Sequence, residues 1–186
     1  MCHYLMSPSK KYRLKLRRID FSASGCGFIS GNRITLLQNG EAYFPAIEAA
    51  VDRAQHEIFL ETYIYEDDAI GQRIASALER AARRGVTVHL LIDGYGSQDL
   101  AQSMQNRLRA SGVHALVFRP KISPWTFRRR RLRRMHRKIV VVDREIAYVG
   151  GINIIADNAT RDTPPRYDFA VAVEGPLVDV IRHSSQ

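Results

Sequence analysis

Between residues 58 and 118 the chain alternates apolar stretches with helical stripes, and this alternation restricts the fold more than any other feature. Residues 58–65 and 86–92 carry β-branched and aromatic side chains on both faces, as expected of strands covered from both sides. Between them Ile70, Ile74, Ala77, Leu78 and Ala81 recur at helical spacing, with Asp67 or Asp68 as a cap and Gly85 beyond the end. A second helix is predicted over residues 99–110, stopped by Gly112, and a third strand over 113–118. Three βα-type units in a row predict an α/β domain with a mixed, mainly parallel sheet flanked by helices.

The flanks extend the pattern. Residues 33–38 read as a short strand closed by the Asn39-Gly40 turn signal, and Phe44, Ile47, Val51 and Ala54 mark an amphipathic helix over 42–55. Prolines and arginines interrupt the alternation at 119–134. Residues 138–142 and 146–149 then form two predicted strands around a tight turn at 143–145; 167–174 is a last strand, and a helix starts at Leu177. Residues 1–30 are basic and then Ser/Gly-rich, which predicts a poorly ordered leader before a domain at 31–186. The finish inside a helix reads as a truncated, frameshifted or excised product.

Lys and Arg total 28 against 19 Asp and Glu, a net charge of +9, which favours anionic partners: nucleic acid, lipid headgroups or phosphate-bearing substrates. Cys2 and Cys26 make neither a disulfide framework nor a zinc spacing, so a thiol-neutral, cytosol-facing protein is expected. The basic N-terminus has no apolar run after it, which argues against a secretory signal. The longest apolar run, near residues 139–142, is far too short to span a bilayer. Work at a membrane would be work on its surface.

Chemistry concentrates in residues 135–153, MHRKIVVVDREIAYVGGIN. His136 and Lys138 are two apart at a strand start, so both point to one face. Asp143 ends that strand, and Gly150-Gly151 leads to Asn153 at an expected helix start, where backbone N–H groups would face an anion. This set suits attack on a phosphodiester. The imidazole is the nucleophile and forms a phosphohistidine, Lys138 meets the charge on the non-bridging oxygens, and Asn153 and the glycine N–H groups donate to them. No metal or other cofactor is needed, and no His/Asp/Glu cluster has metal-ligand spacing. Of the six histidines, only His136 has a lysine two residues on.

The pattern H-x-K-x4-D-x6-G-G-x-N resembles the signature of the phospholipase D superfamily. The resemblance runs over about residues 31–182. Asn39-Gly40-Glu41 with Phe44-Pro45-Ala46, Leu60-Glu61-Thr62-Tyr63-Ile64, Leu91 to Ser97, Arg134 to Lys138 and Glu174-Gly175-Pro176 look like bacterial cardiolipin synthases, the B type in particular. It implies a bilobal enzyme with two such motifs about a pseudo-two-fold axis, one histidine as nucleophile and the other as acid and base. It also implies phosphatidyl transfer between two phosphatidylglycerols at the cytoplasmic surface of a bacterial cell membrane, with Asp143 counted as catalytic. This chain holds one motif, so a missing second half or a homodimer partner is expected. Two other readings stay open: a single-motif endonuclease of the same superfamily acting as a homodimer, and an inactive fragment that binds anionic lipid or nucleic acid.

Other residues carry two readings each. Trp125, Phe127, Arg128, Arg129, Arg130, Arg131, Arg133 and Arg134 precede His136 and form either a lipid-contacting element or a solvated basic loop. Glu61, in an apolar strand, either orients the imidazole and contributes to the substrate site or makes a structural salt bridge. Asp93 fits plain turn chemistry better than a ligand role, Asp143 also fits a structural role at its turn, and Asp168 supports the site or is an edge-strand charge. Tyr43, Phe44, Phe59, Tyr63, Tyr65 and Tyr148 read as core and sheet packing.

Overall fold

The computed structural model describes residues 28–98, 100, 102–119, 134–156 and 166–185. The elements in chain order are β1 (Arg33–Gln38), α1 (Asn39–Arg53), β2 (Glu57–Thr62), α2 (Ala69–Arg83), β3 (Thr87–Asp93), α3 (Gln102–Ala110), β4 (His114–Phe118), β5 (Ile139–Val142), β6 (Ile146–Gly150), β7 (Phe169–Glu174) and α4 (Leu177–Ser184). The seven strands form one mixed sheet in the order β1-β7-β6-β5-β2-β3-β4. Parallel pairing is confined to β2–β3 and β3–β4, and the other four neighbouring pairs are antiparallel. Helix α1 carries the chain across the sheet from β1 to β2, and α2 and α3 join the neighbouring strands β2, β3 and β4. The β5–β6 hairpin reverses direction and inserts β5 beside β2 at the sheet centre.

Period-two alternation in the central strands produces two apolar faces. Val140 and Val142 join Ile58, Leu60, Val88, Leu90 and the buried faces of α1, α2 and α3 in the main core. Ile139 and Val141 turn the other way and meet Ala147, Val173 and Val178 under α4. Asp68 is the cap of α2, accepting the Ile70 and Gly71 N–H groups, each at 2.9 Å.

Three local expectations change. Asn39 does adopt a turn-like φ of +56°, but the chain runs straight into α1, three residues earlier than the apolar stripe alone indicates. The helix after β3 begins at Gln102. No helix starts at Asn153: residues 151–156 are irregular, with one parallel bridge between Tyr65 and Ile154. The expected leader falls almost wholly outside the described residues.

Candidate active site

Tyr63 just beyond β2, the segment leading into β5 and the start of β7 meet at one end of the sheet. His136 is exposed and Lys138 is buried at 5% exposure, and their side chains share a face as the i, i+2 spacing requires. Lys138 Nζ lies 3.2 Å from His136 Nε2. A lysine ammonium has only donors, so a hydrogen bond here is accepted by Nε2 in the neutral tautomer that carries its proton on Nδ1. The Tyr63 ring closes the group, 4.9 Å from the imidazole centroid and 5.2 Å from Lys138 Nζ. Tyr63 is therefore a wall of the site rather than simple core, whereas Tyr43, Phe44, Tyr65 and Tyr148 are buried as expected.

Burial pushes the Lys138 ammonium below its usual range, opposed by the nearby Asp168 carboxylate. A lysine with a lowered folded-state pKa costs stability at every pH below that value, and the cost fades as pH rises towards 10.5. Lys138→Met should therefore raise the melting temperature at neutral pH, because it removes a charge that burial disfavours. Thermal melts at pH 7 check this.

The glycines do something other than cradle an anion. The Gly150 N–H donates to Lys138 O at 3.2 Å and the Gly151 N–H to Phe169 O at 2.9 Å, so both donors are taken by the sheet. A Cβ on Gly150 would sit 2.4 Å from Ala170 Cα, and one on Gly151 would sit 2.1 Å from Asp168 Oδ1. Gly150 permits close approach of β6 to β7. Gly151 makes room for the Asp168 carboxylate, whose charge acts on Lys138.

Asn153 also serves the backbone: its Oδ1 accepts the Ile64 N–H at 3.0 Å, fixing the residue after Tyr63. With Asn39, Phe44, Ile152 and Asp168 it lines a small cavity of about 100 Å³. Asp168 is held in turn by Asn39, whose Oδ1 accepts the Asp168 N–H at 3.0 Å. Asp168 is thus part of the site region rather than a bare edge charge.

Two expected residues stand elsewhere. Glu61 pairs with Arg137 at 3.1 Å, and Arg137 also reaches Ser184 on α4, so this pair occupies the sheet face opposite His136. Burial raises the Glu61 carboxyl and Arg137 partly offsets this. Glu61 makes the salt bridge that the sequence offers as one of its two readings, on the face away from the imidazole. Asp143 lies at the far end of β5, five residues or about 16 Å along an extended strand from Lys138. There it accepts the N–H groups of Gln55 (2.7 Å), His56 (2.8 Å) and Glu57 (2.8 Å). The structure does not bring it to the site.

Asp93 forms the expected turn, accepting the Tyr95 and Gly96 N–H groups, and its second oxygen accepts the Met135 N–H. Arg134 stacks over the Tyr95 ring at 4.7 Å. Trp125, Phe127, Arg128, Arg129, Arg130, Arg131 and Arg133 lie outside the described residues. Among the described residues no group of three or more His, Cys, Asp or Glu side chains is placed to hold a metal ion.

A mixed sheet with a histidine–lysine pair at the mouth of its central strand is the layout of a phospholipase D-like domain. The chain belongs to the family described as "Cardiolipin synthase, PLD-like domain", whose model matches residues 47–176. Cardiolipin synthase B of Escherichia coli (strain K12) is 44% identical over 157 residues, covering 84% of this chain and 38% of that protein. Cardiolipin synthase A of Pseudomonas fluorescens is 37% identical, over 84% of this chain and 33% of its own length. The chain thus spans well under half the length of these relatives.

Among solved structures, a phospholipase D family member, Nuc from Salmonella typhimurium, superposes with a TM-score of 0.61 at 19% identity, covering 84% of this chain and 93% of that one. NucT from Helicobacter pylori gives a TM-score of 0.60 at 16% identity, covering 83% and 92%. At these identities they speak for the fold alone.

Proposed function

We propose that this chain supplies one half of the site of a phosphatidyltransferase that makes cardiolipin from two phosphatidylglycerols. The observation that supports this reading is the 3.2 Å contact of Lys138 Nζ with His136 Nε2, a cation beside an imidazole nitrogen in a cardiolipin synthase-type domain. His136 Nε2 attacks phosphorus, an N–P bond forms, and the P–O bond to glycerol breaks. A second imidazole, from another half or another copy of this chain, gives the departing glycerol oxygen its proton. The same imidazole then takes the proton of the acceptor hydroxyl as that oxygen attacks phosphorus and the N–P bond breaks. Lys138 faces the non-bridging oxygens as their charge grows.

The substrate is lipid, and the net charge of +9 favours an anionic bilayer. No described helix is long and apolar enough to cross a membrane. The proposed location is peripheral, on the cytoplasmic face of a bacterial membrane, where the basic charge meets anionic headgroups.

A second reading, a homodimeric endonuclease, draws on the match over nine-tenths of Nuc and of NucT, chains that hold a single copy of this fold. The same charge suits nucleic acid. Sedimentation of the purified chain, beside assays on phosphatidylglycerol vesicles and single-stranded DNA, separates the two. A monomer should transfer phosphatidyl groups at least about 10²-fold more slowly than an assembly with both imidazoles. A monomer at full rate would sink the half-site reading, and a dimer that cuts DNA and ignores lipid would put the nuclease first.

A further inference from the structure

His136 is delivered by a stretch of chain with little support of its own. β5 begins only at Ile139, and residues 134–138 lie outside any strand. Gly150 secures the segment at Lys138 O. On the other side of His136, among the described residues, the backbone of 134–137 is tied at one point, where the Met135 N–H meets Asp93 Oδ2 at 2.9 Å.

Asp93 is well placed to hold that point. It ends β3 and is fully buried. Its Oδ1 accepts the Tyr95 and Gly96 N–H groups at 2.9 and 3.1 Å, which closes the turn after β3. The same turn fixes the opposite wall of the site. Ser97 Oγ donates to Tyr63 O at 3.1 Å and accepts the Tyr65 N–H at 2.9 Å, while a Cβ on Gly96 would meet Tyr63 O at 2.3 Å. One turn therefore grips the residue before His136 and the tyrosine that its ring touches.

We propose that Asp93 is a positioning residue for His136: it ties Met135 to the turn that also fixes Tyr63, and so sets the imidazole against Lys138. Turn chemistry alone uses one oxygen of an aspartate or asparagine. The second oxygen, buried and aimed at an N–H on a segment 42 residues away in sequence, is what a turn does not need. Asparagine would keep the turn through its one oxygen and present an NH2 group to the Met135 N–H, donor against donor. Its effect on turnover rests on His136 being the nucleophile; the tie itself does not.

The test is NMR on the 186-residue chain carrying Asp93→Asn. In the wild type the Met135 amide should exchange slowly although it lies outside any ladder, and the His136 ring protons should carry a ring-current shift from Tyr63. In the variant the Met135 amide should exchange about 10-fold faster or more, an expected loss of at least one hydrogen bond's protection. The His136 ring signals should move to free-histidine positions while the Tyr95 and Gly96 amides keep theirs. In an assembly that turns over, kcat should fall about 10²-fold with KM nearly unchanged, the cost of a slight misplacement. A fast-exchanging Met135 amide in the wild type, or His136 signals unmoved in a folded variant, would overturn the proposal. Absent lipid turnover in every wild-type assembly that supplies the second imidazole would count against the phosphatidyltransferase reading and leave the NMR result standing.

Discussion

His136→Ala should bring phosphatidyl transfer down to the uncatalysed level in whatever assembly of this chain turns over. The geometry leaves no substitute nucleophile among the described histidines. His56 sits with the Asp143 turn at the far end of β5, His89 and His114 stack on each other across β3 and β4 at 5.1 Å, and His183 bonds Asp179 O on α4. Among the described residues none of these meets a lysine, and His136 does. A covalent route loses everything with its nucleophile, because the two easier steps revert to one direct displacement. Lys138→Ala keeps the imidazole but removes the charge proposed to face the phosphoryl oxygens, an expected loss of about 10²–10³-fold. The check is a quench with ³²P-labelled phosphatidylglycerol. Acid-labile label should appear on the wild-type chain, weakly on the lysine variant, and not on His136→Ala. Label retained on the histidine variant would remove His136 from the mechanism.

The histidine–lysine pair was legible because period two is a local property, and two residues on extended backbone share a face wherever the strand lies. The same rule separated Arg137 from its neighbours and sent it to α4 with Glu61. What local spacing cannot supply is the identity of the strand alongside. Gly150 and Gly151 read as an anion cradle because nothing in residues 135–153 shows that β7 takes the Gly151 N–H and brings Asp168 against its Cα. Tyr63 hid among the core aromatics because β2 ends at Thr62 and the alternation breaks there. Asp93 read as a turn, which it is; its second oxygen meets a residue far along the chain. The direction of β5 was equally hidden, since a hairpin can insert at the centre of a sheet or add at its edge. Local pattern reached the α/β class and the shared face of His136 and Lys138, and long-range pairing decided the rest.

That limit applies most strongly to Asp143, whose place in the sequence signature points to catalysis and whose contacts point to the fold. Asp143→Ala should lower stability by about 3 kcal/mol, roughly 1 kcal/mol for each of the three N–H groups left without the carboxylate. For a chain of this size that is a fall in melting temperature of about 6–12 °C. Asp143→Asn should cost less, because Asp143 and Arg144 adopt φ of +52° and +59° in the β5–β6 turn, a region asparagine tolerates and alanine does not. Burial by itself would raise this carboxyl, but the N–H groups of Gln55, Glu57 and His56, with the His56 charge, hold it below the usual 3.8. A folded-state pKa below the unfolded one gives stability that is complete above about 3.8 and disappears as pH falls through the lower, folded value. The gap between wild type and Asp143→Asn should therefore be wide at pH 7, begin to close below pH 4 and vanish under stronger acid. Melting curves of both proteins from pH 7 down to pH 2 measure it directly. A gap that ignores pH, or a variant that keeps wild-type stability but loses the acid-labile label, would return Asp143 to the chemistry. The expected pattern, lower stability with label retained at temperatures where the variant is folded, assigns it to the turn that carries the far end of β5.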